Sequence, residues 1–335
     1  MKKINYAGAA VALFTIIVMI IAVIIAFSFG EKDSDAAETT KGNARSNYNV
    51  LFLGKDDAAG LSDVIMLASF NTQSGDVSIL QIPRDTYFNY TDGSYKKING
   101  APRVLTNAGL STELSKALNI DIDYYFEIKL STVKKIVDAI SGVEIDIPMD
   151  MDYDDPAQGL SIHLKKGKNL LSGEDAIKFI RFRSGYLTGD IGRLDAQKLF
   201  LNAFAKRIGE QKNPVTLLNI FKLLLSESST NITEQELISI GMKSSKPKGG
   251  RVYYVTAPGD AVQSDESGAW YYILSRSAMQ ELMIGHFGAS SEKTFDNEYK
   301  FVDKRVKSFY DIYNKHYTYK LYSADEIENN QININ

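Results

Sequence analysis

Three arginines and a glutamine sit close together in the middle of the chain. Arg181 and Arg183 are followed by Gly189-Asp190-Ile191-Gly192-Arg193 and then by Gln197. Residues two apart in an extended segment point the same way, so Arg181 and Arg183 are expected to present paired guanidinium groups. Glycines at 189 and 192 let a backbone approach a bulky anion, and a helix starting there offers its positive end. On that helix Arg193 and Gln197 are four residues apart and share a face. These residue types in this order answer the needs of a phosphate-bearing ligand.

Three other clusters supply complementary groups. Gly54-Lys55-Asp56-Asp57 follows an apolar run directly, and Ser62-Asp63 precedes the next one. Asp56 and Asp63 share a hard divalent cation if the loop between them folds back. In Ile82-Pro83-Arg84-Asp85-Thr86, the proline stiffens the exit from a strand and projects Arg84, whose fork suits two-pronged phosphate recognition. Plainer readings exist: an Asx turn after Gly54, and a surface Arg84–Asp85 ion pair worth roughly 0–1 kcal/mol. Taken together, the arginines would neutralise a pyrophosphate. The carboxylates would hold magnesium across it, and one of them would take a proton from an attacking hydroxyl.

The elements that must position these groups are legible from periodicity. Tyr48 to Leu53, Val64 to Phe70 and Val77 to Ile82 read as buried strands, the last two joined as a hairpin through Thr72-Gln73-Ser74-Gly75-Asp76. Helical patterns follow at 105–118 and at 131–141, the second with Ser131 as N-cap and Gly142 at its end. Val143 to Ile147 alternates as a strand with one wet face, and Ser172 caps a short helix. Helices are expected over 193–208, over 214–225, after the capping box Thr233-Glu234-Gln235-Glu236, and over 302–313, with a strand at 251–256. Strands mixed with helices, and a hairpin in place of strict alternation, predict an α/β sandwich: a mixed central β-sheet flanked by helices. The polar end from Ser323 onward reads as a frayed tail.

Composition narrows the function classes. A net charge of −3 over 335 residues gives no support for nucleic-acid binding. With 0 cysteines and 3 scattered histidines, any metal is held by oxygen, which points to magnesium or manganese. Lys2 and Lys3 precede an uncharged apolar run over 6–30, long enough to cross a bilayer. The lysines place residues 1–5 in the cytoplasm and everything beyond 30 outside, with 31–46 as a polar linker. A cleaved signal peptide is the rival reading, and the length of the run favours a retained anchor.

Asn49-Val50-Leu51-Phe52-Leu53-Gly54-Lys55-Asp56, Ser62-Asp63-Val64-Ile65-Met66-Leu67, Ile82-Pro83-Arg84-Asp85-Thr86, Lys97-Ile98-Asn99 and Ile122-Asp123-Tyr124-Tyr125 occur in one order. Gly142-Val143-Glu144-Ile145-Asp146-Ile147-Pro148, Leu164-Lys165-Lys166-Gly167 and Gly189-Asp190-Ile191-Gly192-Arg193 continue it. In this the chain resembles the LytR-CpsA-Psr family over about 47–211, with 212–322 packing on that core and 323–335 as the tail. The resemblance implies a pocket for a polyprenyl chain and transfer of a glycopolymer from undecaprenyl pyrophosphate to peptidoglycan at the cell membrane, with magnesium. It implies Asp56 and Asp63 as metal-side carboxylates, and Arg84, Arg181, Arg183 and Arg193 on the pyrophosphate with Gln197 beside them. Asp190 joins Asp56, Asp63 and Arg84 as a catalytic candidate. Leu61 and Ala196 stand where the family usually has arginine, and Asp57, Ala58 and Ala59 where another is usual. Those departures predict a less positive site. They keep two alternatives open: a weakly active or regulatory lipid-pyrophosphate binder, and a pyrophosphatase acting on the lipid carrier.

Overall fold

Residues along Asn47–Lys55 (β1) are apolar almost throughout but divide by alternation, Val50 and Phe52 to one side and Leu51 and Leu53 to the other. The same division continues in Ser62–Asn71 (β2) and Val77–Gln81 (β3), which form the expected hairpin. A strand buried on both faces must be covered on both, and two separate apolar clusters do so. The computed structural model describes residues 47–55, 60–90, 93, 96–156, 159–233, 235–236, 250–296, 299–329 and 332. The expected anchor and linker, and Asp56 to Ala59, lie outside the described residues. Among those described, no helix is long and apolar enough to cross a membrane.

Tyr124–Lys129 (β4) lies parallel to β1 on the side away from β2. Val143–Ile147 (β5), Met151–Asp155 (β6), Leu160–Leu164 (β7) and Gly167–Leu171 (β8) stand outside the main sheet as two antiparallel pairs, β5 with β8 and β6 with β7. Ser228–Thr230 (β9) edges β4, and Val252–Thr256 (β10) runs parallel to β3. Gly259–Gln263 (β11) and Trp270–Leu274 (β12) form a hairpin, and Tyr322–Ser323 (β13) pairs with β10. The central sheet is therefore mixed, in the order β13-β10-β3-β2-β1-β4-β9.

Helices cover both faces, giving the expected three layers. On one face lie Leu130–Ala139 (α2), Gly173–Arg181 (α3), Asp190–Gly209 (α4) and Pro214–Glu227 (α5), through residues such as Ile136, Phe179, Phe200 and Ile220. The other face receives Asn107–Leu118 (α1), Arg276–His286 (α6) and Lys307–Asn314 (α7), through Leu114, Met279 and Phe309. Each such side chain contributes roughly 1.5–3 kcal/mol when fully enclosed. Ser172 caps α3 as expected, accepting from the Asp175 amide at 3.2 Å. Ser131 does not cap α2: the helix already begins at Leu130, with Lys129 at the cap position. The late helix begins at Lys307, not near Val302.

The second half of the chain is not an appendage on a finished core. β10 inserts beside β3, pairing Tyr254 with Ile79, so the sheet is incomplete at residue 211. Nor does Ser323 start a loose tail. Its hydroxyl accepts from the Glu326 amide while Glu326 returns the contact, a capping box that opens Ala324–Glu328 (α8), and Ile327 is buried against the first cluster.

Asp296 is a buried carboxylate in the second layer, held with φ 51° and accepting from the amides of Lys300 (2.6 Å) and Phe301 (3.1 Å). Burial outweighs those hydrogen bonds and pushes its pKa up to about 7. A folded-state pKa above the unfolded one means that the folded state holds the proton more tightly. The stabilisation is full below about pH 4 and is lost as pH rises through about 7, a difference of a few kcal/mol. Asp296→Asn, which cannot ionise, is expected to gain melting temperature relative to wild type as pH rises from about 4 to about 8. A pH-independent difference in thermal melts would refute this.

Candidate anion-binding site

The antiparallel hairpin brings the start of β2 beside the end of β3, where the Ile82 amide donates to the Ile65 carbonyl at 2.9 Å. Immediately after, Pro83 opens a turn closed by the Thr86 amide and hydroxyl on the Pro83 carbonyl, and the Asn99 amide holds the Arg84 carbonyl. From this braced backbone Arg84 Nη1 donates to Asp63 Oδ1 at 2.7 Å, and its Nε lies 3.6 Å from Asp190 Oδ1. Asp190, the first residue of α4, also holds Arg193 Nη2 at 3.0 Å. Asp63, Arg84, Asp190 and Arg193 thus form one chain of alternating charge. The simpler Arg84–Asp85 pair is not made, because Asp85 takes Lys97 at 2.7 Å.

Arg181 and Arg183 join this chain around a cavity of about 180 Å³ lined also by Asp63, Arg84, Arg193, Tyr153, Leu160 and Ser184. They converge by a different route from the expected one. Arg181 is the last residue of α3, and Phe182 turns the chain out of the helix, so the pair flanks a helix end instead of one face of a strand. Gly189 has φ +57° at the start of α4, as a backbone turn there requires. Gly192 serves packing, not ligand approach: a Cβ would lie 2.5 Å from the Tyr186 Cβ.

Four guanidinium groups, those of Arg84, Arg181, Arg183 and Arg193, line the cavity, and Asp63 and Asp190 pair with Arg84 and Arg193. Burial opposes the charge on Arg84, but Asp190 and Asp63 outweigh it and hold its pKa above the ordinary guanidinium value. Arg193, only 4 % exposed, is shifted down by burial, with Asp190 opposing and Arg84 assisting. Arg193 is buried, Arg84 and Arg181 are half-buried and Arg183 is exposed, so the inner donors are the ones held in place before an anion arrives.

Gln197 lies elsewhere than expected. Its amide donates to the Ile180 carbonyl at 3.2 Å, and it lines a second, apolar cavity of about 170 Å³ between the sheet and α2, α4 and α5. Neighbouring residues border the two cavities: Asp63 lines the charged one and Val64 the apolar one, and Arg181 and Ile180 repeat the arrangement. Ala196 is fully enclosed with Phe182, Tyr186 and Phe200, so its small side chain belongs to the packing beneath the site. Lys55 is engaged 3.7 Å from Glu127 and Lys97 with Asp85, so neither replaces a missing arginine. Sequence reasoning missed Tyr153, Leu160 and Ser184 on the charged wall. It also missed Lys198, a 1 % exposed lysine between Asp195 (2.6 Å) and the Thr256 hydroxyl (2.7 Å) with its pKa lowered by burial.

Asp63 offers a hard carboxylate oxygen on the cavity wall. That oxygen is paired with Arg84, and among the described residues no group of three or more acidic or histidine side chains is placed to share a metal ion, so Asp63 would hold magnesium only together with ligand phosphate and water.

Fold and site together define an α/β/α sandwich protein with an arginine-lined cavity and a neighbouring apolar one. The chain belongs to the LytR-CpsA-Psr family, whose model matches residues 24–284. It is similar to the polyisoprenyl-teichoic acid–peptidoglycan teichoic acid transferase TagU of Bacillus cereus, at 28% identity over 75% of this chain and 82% of the relative. TagV of Bacillus subtilis, named as the same kind of transferase, is 30% identical over 58% of this chain and 52% of its own. The crystal structure of B. subtilis TagV superposes with a TM-score of 0.61 at 25% identity, covering 73% of this chain and 99% of that one. TagT bound to LIIa-WTA shares the fold, with a TM-score of 0.58 at 21% identity over 76% of this chain and 94% of that one.

Proposed function

We propose that this protein transfers a glycopolymer from an undecaprenyl-pyrophosphate donor to a hydroxyl of peptidoglycan, from a domain held outside the cytoplasmic membrane by the apolar segment 6–30. The observation that supports this reading most is an arginine-lined cavity and an apolar cavity bordered by neighbouring residues, Asp63 beside Val64 and Arg181 beside Ile180. A ligand that occupies both would be an amphiphile with an anionic head, and four guanidinium groups suit a pyrophosphate diester. The names of the curated relatives supply the reaction class.

In this reading Arg84, Arg181, Arg183 and Arg193 hold the pyrophosphate, and the apolar cavity takes the first isoprene units. The acceptor oxygen forms a bond to the phosphorus bearing the glycan, the bridging P–O bond breaks, and the lipid leaves as a monophosphate whose charge the arginines stabilise. The hydroxyl proton passes to Asp190, which lies between Arg84 and Arg193. Asp63, with Asp56 as its expected companion, would hold magnesium, which neutralises phosphate charge when bound. The work of the protein is positioning and charge neutralisation.

The test is transfer of a radiolabelled glycopolymer from a lipid-linked donor to peptidoglycan, with and without magnesium. Wild type is expected to depend on magnesium. Asp63→Ala is expected to lose at least about tenfold in rate and most of that dependence, since a hard cation loses a charged ligand. Release of inorganic phosphate without transfer would favour the pyrophosphatase alternative, and lipid binding without turnover the regulatory one.

A further inference from the structure

The charged cavity has one wall that brings no charge to it. The hairpin of β6 and β7 pairs Tyr153 with Ile162 and Asp155 with Leu160, and cross-strand partners share a face. On that inward face Met151 and Ile162 are buried in the core, while Tyr153 and Leu160 line the cavity together with the arginines. On the outward face Asp152, Asp154 and His163 are exposed and form their own ion pairs. The Tyr153 hydroxyl donates to Asp155 Oδ2 at 3.3 Å, which leaves the ring itself as the surface offered to a ligand.

An aromatic ring and a leucine add nothing to the neutralisation of phosphate, and a separate apolar cavity, lined by Val64 and Ile180 among others, is there for a lipid. With lipid on one side and arginines around the pyrophosphate, the group reaching the hairpin wall is whatever hangs from the distal phosphate. On the donor reading above, on which this inference rests, that group is a sugar ring, and the C–H face of a pyranose stacks on an aromatic side chain. We propose that Tyr153 is a specificity-determining residue of the donor site, its ring taking the apolar face of the first sugar joined to the pyrophosphate, with Leu160 supporting the ring's edge.

The experiment measures binding of two probes to the full chain in detergent micelles: bare polyprenyl pyrophosphate, and the same lipid pyrophosphate bearing one N-acetylhexosamine. Tyr153→Ala and the volume-keeping Tyr153→Leu are expected to weaken the sugar-bearing probe about tenfold and leave the bare one within about twofold of wild type. Tyr153→Phe keeps the ring and is expected to bind both normally. Retained binding of the bare lipid also shows that the variant has folded. Equal loss for both probes would assign the wall to lipid or phosphate, and no loss for either would remove Tyr153 from the site; each overturns the proposal while leaving the donor reading intact. Failure of wild type to bind either probe would overturn the donor reading itself, and this inference with it.

Discussion

Replacing Arg84 by alanine is expected to lower glycopolymer transfer by about 10²–10³-fold, the range seen when one fixed electrostatic donor is removed from a transition-state site. The reason lies in its two partners. Arg84 is the only described cation that touches both Asp63 and Asp190, at 2.7 and 3.6 Å. Its loss removes a phosphate ligand and leaves Asp63 without its arginine beside the substrate's charge, while Asp190 keeps Arg193. Arg84→Lys is expected to recover little, because a single ammonium cannot reproduce a planar fork held between two carboxylates. The assay is single-turnover transfer from a lipid-linked donor, with thermal melting as the control for folding. A variant that melts like wild type and transfers within about threefold of it would remove Arg84 from the chemistry.

Asp195→Ala is expected to lower stability by about 3–5 kcal/mol, seen as a fall in melting temperature on the order of 10 °C. Lys198 is enclosed beneath the sheet's β10 edge, and Asp195 and Thr256 supply the contacts that make its charge tolerable there. Removing the aspartate leaves a buried ammonium that must be endured or neutralised. Burial already lowers the pKa of Lys198, and without Asp195 it falls further. The folded variant then binds fewer protons than the unfolded chain, so its deficit shrinks as pH rises toward the ordinary lysine value of about 10.4. Replacing both partners by apolar residues, as in Asp195→Leu with Lys198→Met, is expected to restore most of the loss. Melting curves of the single and double variants across alkaline pH decide the matter. An Asp195→Ala protein as stable as wild type would show that the pair contributes nothing.

The layer architecture and the first three strands were legible because alternation within an apolar run is a local property. The gathering of Asp63 and Arg84 followed from the same hairpin, and Asp190 and Arg193 from the start of one helix. What resisted sequence reading depended on distant pairing or on the exact end of an element. Arg181 and Arg183 do converge, but through the last turn of α3, where a two-residue spacing has a different meaning from the one it has in a strand. Gln197 shares the helix of Arg193 and yet faces the apolar cavity, because four residues overshoot a full turn and Ile180 supplies a carbonyl there. Tyr153 was hidden in an acidic stretch. The signal was its place two residues after Met151, on the one inward face of a hairpin whose other face is charged. The insertion of β10 leaves no mark on its own residues, since a strand's neighbours are chosen by the rest of the sheet.

That insertion has a consequence for biogenesis. All the arginines and carboxylates of the site are synthesised before residue 200, but the sheet that carries Arg84 gains its β3 neighbour only when residues 252–256 arrive, and β13 closes that edge still later. A loop of about 170 residues must close to bring β10 to β3, a slow, non-local step. A nascent or truncated chain therefore holds the whole set of charged groups without the scaffold that aims them. On the proposed function, a chain that lacks β10 and β13 is expected to hold a lipid-linked donor less tightly than one in which both strands are in place.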